Sequence, residues 1–567
     1  MSSRFAGGIA FAHPLSFWGG FAACVAGVLL HLPMYLHAAD MGYHMAGMPM
    51  DAPMMAGMGL IVVGLAAVAH GLVPRGFLRA RPAAEVRVRA LDDARMRPAH
   101  IGLIIVLTAA VTVDAMKPIT LSFVAPGMTK EYGLKSALNP SGDLPVALLP
   151  FFGLTGTVIG SFLWGWLGDR IGRRTSILLA GVLFVTTATC GAMPSFGWNL
   201  AMCLLMGIAA GGMLPITFSL LAETIPARHK GWVMVLIGGN LALAYVVTSW
   251  LSSALVPEYS WRILWLLGMP TGVVLILLNH WIPESPRFLL THGREEEARA
   301  IMRRYGAVLA EPGRDDAAAA TTDTTAMSSA TEATEATQAT EATGAIRDDH
   351  GGGYGRLFRA PFTGLTWAVV ALGLGVGLVT YGFQLWIPSN LQQLGLSQAT
   401  ADSALRDSAL LGLPLVFVAA AMYGLWSAKK TIIVLAALVT AALAVFAAAG
   451  DSLADDRAWL YVLLAGPIVG TSVIAAVLAA YSSEIYPTRV RSRGSGLSAG
   501  VGKFGGVAVT TLLIAGIAAP SIGLTALIGA VPLAAAVVAV ALFGVETRRR
   551  PGDAAAPASP AAEPADA

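Results

Sequence analysis

Within the stretch TVDAMKPIT, residues 112 to 120, an aspartate, a lysine and a proline fall inside an apolar run of about twenty residues, the length that crosses a bilayer. An ionisable side chain at that depth costs several kcal/mol even after snorkelling and water defects, which makes Asp114 and Lys117 candidates for function. Three apart on a helix, they share a face and can form an ion pair directed into a bundle. Pro118 has no N–H, so the carbonyl of Asp114 loses its helical partner and the helix can bend there. This arrangement would let Asp114 carry a proton, with Lys117, released by that protonation, receiving an anionic substrate. The alternative is a permanently paired structural bridge at a kink.

Other polar side chains fall in the same apolar runs. Asn240, Tyr245, Gln384 and Trp386 could hydrogen-bond or stack on a small planar ligand, and each could equally be helix glue or an interfacial anchor. Lys503, within GVGKFGG, is either a gate or a ligand. A separate segment, HLPMYLHAADMGYHMAGMPMDAPMMAGM (31 to 58), is dense in methionine and histidine and free of Lys and Arg. His31, Met34, His37, Met41, His44, Met45 and Met48 recur near helical spacing, and thioether with imidazole suits Cu(I). The competing reading is an apolar, gap-filling lip. Apart from that ion no cofactor is expected.

The elements that must position these residues follow from composition. Of 567 residues, 56% are hydrophobic and 13% charged, and the apolar runs recur too regularly for a soluble core, so the chain is an all-α polytopic membrane protein. A net charge of +3 gives no electrostatic support to a nucleic-acid partner. Cys24, Cys190 and Cys203 are scattered in apolar runs and offer neither a disulfide framework nor a thiolate metal site. Two leading helices are expected near 15 to 36 and 54 to 74, the first retained rather than cleaved as a signal. Twelve more are expected to start near 101, 146, 175, 198, 232, 261, 364, 407, 431, 458, 495 and 521, making about fourteen. Basic residues gather at alternate ends: Arg75 to Arg89, Arg170 to Arg174, Arg228 and Lys230, Lys429 and Lys430, Arg489 to Arg493, Arg548 to Arg550. That end is read as cytoplasmic, with both termini there, in a plasma membrane. The polar stretch 305 to 355 reads as a disordered linker. The boundaries expected are 1–97 for the leading pair and its basic connection, 98–290 for a six-helix half, 291–362 for the linker, 363–548 for a second half and 549–567 for a disordered tail.

An internal repeat supports the halves. ETIPARHK (223 to 230) and EIYPTRVR (484 to 491) share E-x-x-P-x-R and follow equivalent helices, and PESPRFL (283 to 289) and VETRRR (545 to 550) end the two halves. With GWLGDRIGRRTSILL (165 to 179) these motifs resemble the Major Facilitator Superfamily, over nearly all of 100 to 548. The resemblance implies a 6+6 bundle working by alternating access, with two additional N-terminal helices here. It also implies gating roles for Gly165, Gly168, Asp169, Arg170, Arg173, Arg174, Glu223, Arg228, Glu484, Arg489 and Lys503. Gly165 and Gly168 would let helices approach closely, and Asp169 with the arginines would bond differently in two conformations. Within the superfamily, YGFQLWIPSNLQQLGLS (381 to 397) and DAMKPITLSFVAPGMTKEYGL (114 to 134) resemble the branch of sugar porters, organic-ion transporters and proton-linked metabolite symporters. Met202 and Cys203 stand where many relatives carry an arginine, and the second copy of the loop signature is reduced to YGLWSAKK (423 to 430).

The leading functional expectation is proton-coupled symport of a small, anionic organic metabolite by a monomer whose partners are lipid, substrate and protons. Copper transport or sensing through the Met/His segment, and drug or metabolite efflux, are the alternatives. No phosphate-cradling loop, nucleophile elbow or zinc spacing supports an enzyme.

Overall fold

The computed structural model describes residues 5–6, 9–73, 91, 94–136, 138–307, 354–449, 457–486, 491–515 and 522–547. Among the described residues thirteen helices are long and apolar enough to cross a membrane, and a fourteenth apolar helix is shorter. They are α1 (Pro14–Met41), α2 (Ala52–Leu72), α3 (Pro98–Tyr132), α4 (Leu148–Ile171), α5 (Arg173–Ala192), α6 (Phe196–Thr224), α7 (Ala227–Tyr259) and the short α8 (Arg262–Leu278). After the linker come α9 (Thr363–Gln393), α10 (Gln398–Trp426), α11 (Ala428–Ala449), α12 (Ala458–Ile485), α13 (Arg491–Ile514) and α14 (Ile522–Phe543). The linker and tail expected to be disordered, most of the basic connection after α2, and Arg489 lie outside the described residues.

The leading pair holds together through glycine. A Cβ on Gly20 would come within 2.6 Å of the Gly64 carbonyl, and one on Gly27 within 2.7 Å of the Gly57 carbonyl. Lipid offers helices no hydrophobic drive to associate, so close backbone contact at small residues is what fastens α1 to α2. The pair is seated on the core: Phe17, Cys24 and Val68 are buried with Leu178 and Val182 of α5, and Val28 and Ile61 with Val185 and Ala188. The same device joins α4 to α6, where Gly156 and Gly160 lie against the Leu204 and Ile208 carbonyls and Gly207 against that of Gly153.

Helix α3 runs unbroken through Pro118 and Pro126, although each proline leaves one carbonyl without its ladder bond. Three interruptions shape the centre of the bundle. Helix α7 breaks at Asn240, between Ala227–Gly239 and Leu241–Tyr259. Helix α9 passes through a π-helical turn at Val379–Phe383 and a tight turn at Gln384–Trp386, and α12 carries a π-helical turn at Gly466–Gly470. Such turns re-aim side chains in mid-helix and recur at functional sites.

The helix starts follow the sequence expectation closely except for α10, which begins at Gln398 rather than near 407. Its first turns carry Asp402, Arg406 and Asp407, which lower the hydropathy of the window, yet Asp402 is buried. The six helices α3–α8 meet the six helices α9–α14 along two seams. Helix α7 runs against α10 and α12, and α4 against α13.

Candidate functional site

The expected pairing of Asp114 with Lys117 does not form. Lys117 turns into the interior of the first six helices, where Nζ donates to Thr187 Oγ1 at 3.2 Å and lies 4.9 Å from the Phe184 ring centroid and 5.7 Å from that of Trp265. It rests on Gly268, where any Cβ would collide with the ammonium. The crevice beside it, walled by Met116, Thr120, Thr248 and Thr271, holds about 20 Å³, room for a single water. Cation–π contact and one hydroxyl have taken the place of the carboxylate.

Asp114 faces the other way. Its charge and that of Lys503 on α13 act on each other, and Lys503 Nζ donates to Ser161 Oγ on α4. Ser161 in turn donates to the Gly211 and Thr157 carbonyls, both at 2.8 Å. A cation of the second six helices therefore bonds a hydroxyl of the first six across a seam, with the Asp114 carboxylate within reach of its charge. Lys503 is thus a cross-seam contact at mid-helix, and its partner Ser161 carries no signal in the sequence, being one serine among many.

The weaker candidates separate. Asn240 donates to the Thr108 carbonyl at 3.2 Å and to Thr112 Oγ1, so it ties the break in α7 to α3 and is occupied as helix glue. Gln384 donates to the Ile468 carbonyl at 3.5 Å, joining the special turns of α9 and α12. The Trp386 indole N–H and the Tyr245 hydroxyl are buried without a partner, and such groups carry a standing cost unless something fills the role. At the end opposite the arginines, Thr129, Asn139, Gln392, Ser397 and Gln398 line a cavity of about 460 Å³ between α3 and the α9–α10 connection.

At the basic end four of the gating candidates, Asp169, Arg173, Arg174 and Glu223, form one network with Glu284 and Ser285. Arg173 bonds Asp169 at 2.6 Å and faces Glu223 at 3.6 Å, while Glu223 accepts from Ser285 Oγ. Glu284, from PESPRFL, accepts the Arg173 N–H at 2.7 Å and the Arg174 N–H at 3.3 Å, capping α5. Burial pushes the Glu284 carboxyl up; the N–H groups of Ser285, Arg173 and Arg174 and the Arg173 guanidinium pull it down without cancelling that effect. Arg174 donates to the Asn279 and His280 carbonyls. Arg170 lies over the Trp166 ring, and Arg228 is exposed. Glu484 accepts from Tyr423 at 2.8 Å. The two signature glycines depart from expectation: a Cβ on Gly165 would meet nothing within 4 Å, and one on Gly168 would make ordinary contacts. The glycine this loop requires is Gly172, at φ +99°, where a side chain would strike Glu284.

The Met/His segment does not share one helical face. The chain is helical over Leu32–His37, tightens over Ala38–Met41 and turns at Gly42, φ +63°. His31, Met34 and Met45 are buried, His37, Met41 and His44 are exposed, and Met48 is half-buried. His31 Nδ1 donates to the Gly27 carbonyl at 2.7 Å. No group of three or more His, Cys, Asp or Glu fit to hold a metal ion occurs among the described residues. What the segment does is dock. Glu131 of α3 accepts the Met45 and Ala46 N–H groups at 2.8 and 3.1 Å, Tyr35 donates to the Tyr259 carbonyl at 2.7 Å, and Gly47 N–H donates to the Pro194 carbonyl at 3.0 Å. Glu131 itself is paired with fully buried Arg262.

Residues 103–508 match the family model of the Major Facilitator Superfamily. The niacin transporter NiaP of Acinetobacter baylyi is 25% identical over 437 residues, 76% of this chain and 90% of its own. The 4-hydroxybenzoate transporter PcaK of the same organism is 25% identical over 429 residues, 74% and 85% respectively. Among solved structures, the partially occluded inward-open xylose transporter XylE of Escherichia coli superposes with a TM-score of 0.60 at 18% identity, covering 80% of this chain and all of that one. The extra pair α1–α2 precedes the matched region. The chain is a multi-pass membrane transporter, not an enzyme, and belongs to the Major Facilitator Superfamily.

Proposed function

We propose that this transporter is a proton-coupled symporter of small organic anions, with Asp114 as the proton carrier and Lys503 as the anion's partner. The observation that carries the reading is the bond from Lys503 on α13 to Ser161 on α4 across the seam between the two sets of six helices, which sets the ammonium within reach of the charge of Asp114 on α3. With Asp114 ionised, Lys503 is held to the first six helices. Once Asp114 is protonated that attraction is gone, and an ammonium in a low-dielectric site takes a substrate carboxylate as its next counter-charge. The role expected of Lys117 passes to Lys503, because Lys117 is enclosed by α5 and α8. The relatives named for niacin and 4-hydroxybenzoate give the first ligands to test. In this reading the basic end faces the cytoplasm of a plasma membrane.

A thermal-shift screen of the purified protein at acidic and neutral pH against those two compounds, sugars and amines identifies the ligand class, since a ligand of the native state raises the melting temperature. Uptake into proteoliposomes under an imposed pH gradient then tests the coupling. Asp114→Asn should lose gradient-driven accumulation while keeping exchange between equal pools, and Lys503→Gln should lose the ligand's thermal shift. Gradient-driven accumulation unchanged in Asp114→Asn overturns the proposal.

A further inference from the structure

Asp402, near the start of α10, is 1% exposed and meets α7 of the opposite six helices. Ser252 Oγ donates to its Oδ2 at 2.6 Å, and Oδ1 is buried with no partner. Tyr245, seven residues before Ser252 and so close to its face of α7, has a buried hydroxyl that is also unpartnered, within the reach of the Asp402 charge. An ionised carboxylate with one oxygen enclosed and no cation beside it is among the costliest groups a protein can hold, whereas a neutral acid avoids most of that cost. Among the described side chains of the elements packed on this part of α10 there is no cation. Besides Tyr245, the segment Ile387–Gln393 of α9 has no titratable side chain, and residues 458–470 of α12 have only Tyr461.

A cation does stand one turn along α10. Arg406 is four residues after Asp402, the spacing at which an acid and a base on a helix pair. Here it is turned away, bonding its neighbour Asp407 through Nε at 2.8 Å and Nη2 at 2.7 Å, with a side chain 29% exposed. Water at the seam would allow Asp402 to ionise, and Arg406 has only to change rotamer to meet it.

We propose that Asp402 is a second proton-binding carboxyl of the transporter, neutral while α7 and α10 are in contact and ionised onto Arg406 when they part. On opening, the O–H bond of Asp402 breaks, the proton passes to water, and the carboxylate takes Arg406 from Asp407, which is exposed enough to be solvated. The proposal rests on the proton-coupled reading, and it places proton binding on the seam opposite to the one held by Asp114 and Lys503.

The test is pH-difference infrared spectroscopy of the full-length protein in liposomes. The wild type should show a protonated-carboxyl carbonyl band that disappears on alkaline titration, lost in Asp402→Asn and kept in Asp114→Asn. Ser252→Ala removes the one donor to the carboxylate, so it should move the band to higher frequency and its titration to higher pH. Arg406→Gln should also move the titration to higher pH. Spectra of wild type and Asp402→Asn that superimpose overturn the proposal. So does a band unmoved in Ser252→Ala, which keeps the test decisive if Asp402→Asn fails to fold. Unaltered gradient-driven uptake in Asp114→Asn with the Asp402 band in place would sink the earlier reading alone.

Discussion

Glu284 and Glu546 occupy corresponding places near the ends of the two sets of six helices, and each accepts a backbone N–H at the start of another helix. Glu284 takes that of Arg173 at 2.7 Å and Glu546 that of Ala428 at 3.1 Å. Carboxylates there satisfy orphan donors and oppose the positive end of the helix dipole. Around this shared cap the chemistry diverges. The first loop adds Arg173, which reaches both Asp169 and Glu223. The second has Ala428 at the capped position, Ser427 donating to Glu546, and the neutral phenol of Tyr423 as donor to Glu484. The cap is what the fold needs in both halves, while among the described residues an arginine joined to two acids is seen in the first loop. The second copy of the signature thus keeps two lysines, Lys429 and Lys430, and the capping geometry, but has no acid of its own.

Removing each acid tests that asymmetry with the largest effect. Glu284→Ala leaves the Arg173 and Arg174 N–H groups at the start of α5 short of an acceptor, while Asp169 and Glu223 still face the Arg173 guanidinium, a loss of about 3 kcal/mol. Glu546→Ala gives up at least the Ala428 backbone bond and the Ser427 hydroxyl bond, about 1 to 2 kcal/mol for those two. Thermal unfolding in detergent should rank them in that order, and equal shifts would break the comparison. Next comes the residue before each cap. Gly172 sits at φ +99°, so Gly172→Ala combines backbone strain with displacement of Glu284, roughly 1 to 3 kcal/mol. Ser427, at φ −164°, is in ordinary extended backbone, so Ser427→Ala should lose only the two bonds of its hydroxyl, the one given to Glu546 and the one accepted from the Lys430 N–H, with no relief or cost of strain. The same melting measurement decides whether strain is confined to the first loop.

Much of the architecture was legible because the bilayer imposes it: twenty-residue apolar runs, basic ends and paired motifs survive without any knowledge of packing. The site was less so. Asp114 is identifiable from the sequence as a costly intramembrane acid, but its neighbour is not, since spacing places Lys117 beside it and packing turns that ammonium onto Phe184, Trp265 and Thr187. Asp402 was hidden for a physical reason. Hydropathy started the helix near 407, and a buried acid at the beginning of a helix reads as loop until its partner Ser252, 150 positions away, is seen. Gly165 shows the converse, a signature glycine facing open space, while Gly172, in the same motif, carries the conformational demand.

The smallest expected effect is the most specific to the first loop. Burial leaves the Glu284 carboxyl higher in the folded protein than in the unfolded chain, despite the N–H groups and Arg173 that oppose it. The folded state therefore binds the proton more tightly, and the stability this adds is fully present below the unfolded value and lost as pH rises through the folded one. A single group can tilt stability by at most about 1.4 kcal/mol per pH unit. Glu284→Gln keeps an oxygen for the Arg173 N–H and removes the titration, so its melting temperature relative to wild type should rise as pH is raised from acid toward neutral. A constant difference across that range would mean that the N–H groups and Arg173 offset burial completely, and the carboxylate would then be as settled in its cap as a surface one.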